Sequence, residues 1–414
     1  MRRIAIVGAG QTGLHLGIGL LGLGYEVTIQ TDRGGEEVRT GRVMSTQGMS
    51  HPSLELERAV GLDLWDETAP HQMYVEFNRA SSEGGRLVHW QVPRARHGNS
   101  VCQRLKLPRW AEIFEENGGR LIIAAADIAA IEALAKVNEL VFIATGKGEI
   151  SEIFERDDAR SPYDKPPRVL ALTYFDISGA QAPGSTNGEF GVSQNYIPGI
   201  GEYFAMPGLG TTGNCLMGIL EAVPNGPMDC WDAVTSPEQH LERFKSQLAR
   251  FLPWEHDRVR DANLTDDLGF ATGRFVPIVR KPVATLPSGA VVTGLGDVMM
   301  LNDPLTGQGS NHAAKAAAHY LKHIEERADK PFDRGWMQET FDAFLSATAE
   351  ATAKWSNDML NQTPLMMDLL AAGQVNPTIA KKIVDSFAHP PDFFPWFYEE
   401  AEATKLFGDW RQRL

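Results

Sequence analysis

The chain has 414 residues, 43% hydrophobic and 22% charged, a composition that suits a globular protein of two or three domains and excludes extended disorder. Set against 39 Lys and Arg, 53 Asp and Glu leave a formal charge of −14 with no basic block, which argues against nucleic acid and anionic membrane surfaces as partners. Three cysteines, Cys102, Cys215 and Cys230, lack metal-ligand spacing, so neither a disulfide framework nor a zinc site is expected and a reducing, cytoplasmic compartment fits.

Met1-Arg2-Arg3 and the apolar residues after it mimic a secretory leader, but Gly8, Gly10, Gln11 and His15 interrupt the run. A folded unit fits better. Ile4-Ala5-Ile6-Val7 reads as a buried strand, Gly8-Ala9-Gly10-Gln11-Thr12-Gly13 as the turn into a helix ending near Gly24, and Val27-Thr28-Ile29 as the next strand. Glycines at these places let the backbone approach a pyrophosphate, whose charge meets the N–H groups of the helix N-terminus. The acid that usually closes the second strand and holds a ribose is absent: Thr31 stands there, and Asp32 comes one residue late.

The same glycine spacing recurs twice. Gly17, Gly19 and Gly22 fall inside the first helix and serve packing, whereas Gly208, Gly210 and Gly213 separate two strand-like runs and predict a hairpin turn. No second strand–glycine–helix unit is found, so one dinucleotide is expected and no dedicated nicotinamide domain. No uninterrupted apolar stretch approaches the ~20 residues that span a bilayer.

Further along, Leu140-Val141-Phe142-Ile143 is a buried strand ending at Ala144-Thr145-Gly146. Short strands between about 160 and 230, Val169 to Phe175 among them, predict an antiparallel sheet. Ser236-Pro237-Glu238-Gln239 signals a helix start, with Ser as N-cap, Pro at N1 and Gln at N3. Ala290-Val291-Val292-Thr293-Gly294-Leu295-Gly296-Asp297 is another strand ending at an acid, and Asp303-Pro304-Leu305-Thr306-Gly307-Gln308-Gly309-Ser310-Asn311 leads into an Ala-rich helix reaching about Glu326. Beyond Pro331 the chain turns helical and rich in aromatics, from Trp336 to Phe397, which predicts core packing ahead of a dimer or docking surface.

The set GAGQTG, LVFIATG and GDVMMLNDPLTGQGSN, in that order and spacing, resembles the FAD signature of the glutathione-reductase-type flavoprotein monooxygenases. VTIQTDR, GRVMSTQ and DPLTGQGSN are closer still to the oxygenase component of two-component styrene and indole monooxygenases. The resemblance implies an α/β fold: a glutathione-reductase-type Rossmann FAD-binding domain over 1–160 and 280–328 with a β insertion near 65–100, an antiparallel β-sheet substrate domain over 161–279, and C-terminal helices over 329–414.

It also implies roles. Gly8, Gly10 and Gly13 would lie at the pyrophosphate; with Thr31 in the place of the usual acid, either Asp32 reaches the ribose instead or nothing does. Arg42, Gly146 and Asp297 would belong to the FAD site, Asp297 toward a ribityl hydroxyl or, more plainly, as a turn cap. Arg104 matches a flavin-proximal arginine of related enzymes, the alternative being a salt bridge. Pro304, Gly307, Gln308 and Gly309 would form the loop facing the isoalloxazine, with Asn311 at the helix start, whose dipole favours the negative charge of a reduced flavin. Ser45, Gln47 and Met49 match the Ser-x-Gln-x-Met pattern of indole enzymes rather than the Asn-x-Val-x-His of styrene enzymes. Alternation on an extended segment would put all three on one wall of the substrate pocket.

In this family an NADH-dependent flavin reductase supplies FADH2, by diffusion or transient contact. The flavin reacts with O2 to a C4a-hydroperoxide that epoxidises an alkene. The electrophile then belongs to the cofactor, so no catalytic acid, base or metal ligand is expected from the protein, only water exclusion and positioning of a small aromatic substrate. No His-Glu-x-x-His, nucleophile elbow or P-loop is present. The competing readings are a single-component NAD(P)H-dependent aromatic hydroxylase and a non-catalytic GDP-dissociation-inhibitor-like protein on the same fold.

Overall fold

The computed structural model describes residues 2–146, 148–177 and 190–413. β1 (Arg3–Val7) is apolar and buried after its first residue, as a strand covered on both faces must be. It lies between β2 (Glu26–Thr31) and β7 (Leu140–Ile143) in a six-stranded sheet, flanked by β6 (Arg120–Ile123) on one side and by β16 (Val291–Gly294) and β15 (Val283–Thr285) on the other. All pairings are parallel except β15 with β16. Helices α1 (Gln11–Gly22), α2 (Gly35–Arg39), α4 (Gln103–Glu116), α5 (Ile128–Val137) and α8 (Gly309–Arg327) belong to this layer. The register places Val7 beside Ile143, and Ile143 beside Gly294. Three loops therefore leave the same carboxyl edge of the sheet, where open α/β folds bind ligands.

The second sheet has the order β12 (Asn263–Leu264), β8 (Val169–Asp176), β11 (Gly213–Ala222), β10 (Gly201–Gly210), β9 (Phe190–Ile197), β4 (Gln72–Ala80), β5 (Arg86–Ser100) and β3 (Gly48–Met49). β13 (Phe270–Gly273) also pairs with β8, and a small ladder joins β14 (Ile278–Val279) to β17 (Met300–Leu301). The sheet is antiparallel except where β4 runs parallel to β9. The segment that reads as a β insertion is thus a structural part of this second sheet, and so is the short strand at Gly48. The hairpin at Gly208, Gly210 and Gly213 forms as expected, with Gly210 opposite Gly213 and Thr211-Thr212 as the loop.

One face of this sheet packs on α6 (Pro237–Phe251) and α7 (Pro253–Val259) through Phe175, Tyr203, Phe244 and Phe251. Ser236 caps α6 by accepting from the Gln239 N–H, and the Gln239 side chain reaches back to the Thr235 N–H rather than to that of Ser236. The other face packs on α10 (Glu350–Met359), α11 (Pro364–Ala372), α12 (Pro377–Ala388) and α13 (Glu400–Phe407). Trp355, Phe393, Trp396 and Phe397 enter that core, while Trp336, Phe341 and Phe344 of α9 (Arg334–Phe344) join the nucleotide-domain core. Most of the C-terminal aromatics are interior. No helix among the described residues is long and apolar enough to cross a membrane.

Candidate cofactor and substrate cleft

A cleft of about 1080 Å³ opens between the two sheets, and the loops from the carboxyl edge converge on it. Gly8, with φ 119°, and Gly13 admit no side chain: a Cβ would run into the Ala144 carbonyl in one case and the Gly8 carbonyl in the other. Gly10 is different, because nothing lies within 4 Å of the place a Cβ would take. It caps α1 with no side-chain bond, so the first-turn N–H groups of the helix face the cleft without an internal partner. Such an arrangement can receive an anionic group such as a pyrophosphate. Thr31, Asp32 and Arg33 line the outer end, where Thr31 Oγ1 lies 3.5 Å from Asp32 Oδ1 and Asp32 lies 3.8 Å from the Arg33 guanidinium.

At the inner end, Gly146, Asp297, Pro304, Gly307 and Gly309 all line the cleft. Gly307 has φ 63°, the left-handed turn that lets the chain enter α8. Arg42 lines it too, its guanidinium stacked 4.8 Å from the Phe270 ring centroid. Gln308 and Asn311 stand behind this surface. Gln308 Nε2 donates to the Thr306 and Phe387 carbonyls at 3.1 and 3.0 Å, fastening the loop to the end of α12. Asn311 Oδ1 accepts from the Ser50 N–H and hydroxyl at 2.9 and 2.8 Å, and its Nδ2 donates to the Gly48 and Gly307 carbonyls. Every polar atom of that amide is spent inside the protein, so its position next to the loop is structural.

Arg104 is turned away as well. It forms a two-point ion pair with Asp266 at 2.7 and 3.0 Å, and its neighbour Gln103 lines the cleft instead. Burial is the largest single influence and opposes the Arg104 charge, but Asp266 and Cys102 together outweigh it and raise the guanidinium's pKa. The expected flavin-proximal role therefore meets the salt-bridge alternative, in buried rather than surface form.

The substrate wall also departs from expectation. Ser45 and Gln47 line the cleft, whereas Met49 is buried behind it with Leu54 and Ala314. Alternation needs extended backbone throughout, but Gln47 has φ 54°, and this left-handed residue breaks the period before Met49. Gln47 is only 4% exposed, and its Oε1 is buried with no hydrogen-bond partner among the described residues. Tyr174 holds the segment by donating to the Ser45 carbonyl at 2.6 Å. Opposite, Leu170 and Leu172 of β8, Ile219 of β11 and Ala271 of β13 present apolar sheet surface.

Two buried polar groups lie outside the sequence expectations. Lys106 Nζ pairs with both oxygens of Glu57 at 2.9 and 3.0 Å beneath α1. Beneath the inner loop, Glu221, Glu202 and Asp303 meet one cation, Arg168, which is engaged by Glu202 at 2.7 Å. Burial pushes the Glu221 carboxyl well above its ordinary range, and neighbouring Asp303 adds to the rise.

Three comparisons bear on this geometry. Residues 146–258 match the family model described as "Styrene monooxygenase A putative substrate binding domain". Styrene monooxygenase StyA of Pseudomonas sp. and that of Pseudomonas fluorescens are each 28% identical over 404 residues, covering 94% of this chain and 93% of theirs. The chain is similar to StyA along nearly its whole length. Among solved structures, a flavoprotein/dehydrogenase from Cytophaga hutchinsonii aligns with TM-score 0.68 at 12% identity over 97% of this chain and 95% of its own, and the flavin-dependent brominase Bmp2 with TM-score 0.61 at 12% identity over 98% and 92%. The fold is thus that of FAD-binding flavoproteins, and the oxygenase is an enzyme of the flavin-dependent monooxygenase type. The open Gly10, the uncapped α1 and the left-handed Gly307 entering α8 fit a flavin dinucleotide lying along the cleft.

Proposed function

We propose that the oxygenase takes FADH2 from a separate NADH-dependent flavin reductase and inserts one atom of O2 into the C2=C3 bond of indole, the product rearranging to indoxyl and oxidising to indigo. The observation that carries this reading is Gln47, a residue of the cleft wall whose buried Oε1 has no hydrogen-bond partner among the described residues. Leaving such a group unsatisfied costs about 1–3 kcal/mol, which a ligand N–H recovers. Indole brings that donor and styrene does not.

Reduced FAD, when bound, supplies the electrons that place one oxygen atom on the substrate and the other in water. The chain's own residues hold and shield. The N–H groups after Gly10 would hold the pyrophosphate, and Asp297, on the cleft wall, would take a ribityl hydroxyl. Leu172 and Ile219 exclude water from one face, and Gln47 orients the aromatic ring by its N–H. A styrene-like aryl alkene is the second substrate class, favoured by the apolar sheet surface and by the relatives' substrate.

The test is direct. Purified protein given chemically reduced FAD, O2 and indole is expected to form indigo, and NADH alone is expected to form none until a flavin reductase is added. Absence of oxygenated product with reduced FAD would refute the reading.

A further inference from the structure

We propose that Met49, Gln11 and the Lys106–Glu57 pair form a positioning clamp that aims Gln47 into the cleft; the inference rests on the reading that Gln47 receives the substrate. Met49 does not reach the cleft, yet its buried sulfur is met by two donors, Lys106 Nζ at 3.2 Å and Gln11 Nε2 at 3.4 Å. Both donors are fixed by a stronger acceptor. Glu57 takes Lys106 at two points and Gln11 at 2.8 Å, and the side chains of Lys106 and Glu57 are 3% and 4% exposed. Burial pushes the Glu57 carboxyl up, against the pull of Lys106 and Gln11. A thioether is a weak acceptor, so what the sulfur gains here is a defined place rather than much energy.

That place matters because of the residue two positions earlier. A glutamine at φ 54° is strained and persists only where its surroundings over-determine it. The residues after it are held on every side: Gly48 and Met49 pair with Ser100 and Asn99 of β5, Asn311 binds the Gly48 carbonyl and Ser50, and the clamp grips the Met49 side chain. With 48–50 locked, Gln47 has one way to close the chain, and it takes its place on the cleft wall.

The clamp also joins the cofactor side to the substrate side. Gln11 is the first non-glycine after Gly10 in the dinucleotide loop, it lines the cleft, and it donates to the Ser310 carbonyl at the start of α8. A shift of that loop on binding a pyrophosphate therefore moves a donor of Met49. The third residue of the Ser-x-Gln-x-Met pattern acts through the second instead of touching substrate.

Met49→Leu keeps volume and apolarity while removing the acceptor, a swap that cores tolerate well. Three measurements on the full-length protein read the outcome. Amide hydrogen exchange over 45–50 is expected to quicken in the variant. KM for indole is expected to rise about tenfold, within the roughly hundredfold that a 1 Å misplacement costs, with kcat changing less. Kinetics with styrene, which offers no N–H, are expected to stay within about twofold, which a general loss of structure would not produce. The double variant Lys106→Met with Glu57→Gln, in which no charge is left unpaired, is expected to repeat the pattern. Unchanged exchange and unchanged indole KM in both variants would overturn the clamp, as would equal losses on indole and styrene. If wild-type protein oxygenates nothing, the reaction assigned above fails, and the exchange arm alone decides: quickened exchange keeps the clamp, unchanged exchange removes it.

Discussion

Replacing Gln47 by Met separates the buried acceptor from the shape that carries it. The residue is 4% exposed and its Oε1 meets no partner among the described residues, so the free protein bears the cost of a desolvated carbonyl, about 1–3 kcal/mol. Methionine is of similar length and lacks that group, so the variant is expected to be as stable as wild type or more so. With indole bound, the balance reverses: the N–H now enters a site with nothing to receive it. The same 1–3 kcal/mol corresponds to a roughly 5- to 150-fold fall in kcat/KM for indole. Styrene loses no hydrogen bond and is expected to be oxidised as well as before, so the ratio of the two specificity constants moves by the full factor. Steady-state epoxidation or indigo formation with both substrates, alongside thermal unfolding, measures each part. A variant that loses activity on both substrates equally, or on neither, would refute the role given to Gln47.

Gly10→Val is expected to fold normally, because the space beside Gly10 is empty, and to weaken FAD binding more than tenfold by filling the cradle; Gly8→Val, whose Cβ meets the Ala144 carbonyl, is expected to lose folded protein instead. Flavin fluorescence titration and unfolding curves distinguish the two. Thr31→Glu restores an acid at the strand end and is expected to tighten oxidised FAD by about 1.5–3 kcal/mol; unchanged affinity would show that Asp32 or the backbone already serves the ribose. The Glu221 carboxyl is raised in the folded state, so it binds its proton more tightly there than in the unfolded chain. Its contribution to stability is complete below the ordinary glutamate range and is lost as pH rises through the raised value. Glu221→Gln is accordingly expected to flatten the decline of stability on the alkaline side of that range, and parallel pH profiles would count against it.

The first strand, glycine loop and helix were legible because each signal is local: four apolar residues, a turn only glycine allows, and a buried helix of leucines and glycines. The hairpin at Gly210 and Gly213 and the cap at Ser236 were legible for the same reason. What escaped depends on partners remote in the chain. Arg104 finds Asp266 162 positions later, and Gln308 finds Phe387 79 positions later, and neither partner carries a motif. β4 and β5 looked like an insertion because the strand that recruits them, β9, begins at Phe190. Met49 was placed on the wrong side for a different reason: a period-two reading has no way to register one left-handed residue, and a glutamine does not announce it as a glycine would.

The parallel pairing of β4 with β9 also constrains how the molecule is made. Residues 72–80 leave the ribosome long before 190–197, so an unfinished strand edge must wait through more than a hundred residues of synthesis, exposed to wrong partners. A nucleotide-binding fragment cut before residue 190 would carry that open edge permanently. Shuffling such enzymes by exchanging a sequence-contiguous substrate region therefore breaks a sheet in half, and working chimaeras need β4, β5 and β9 from the same parent.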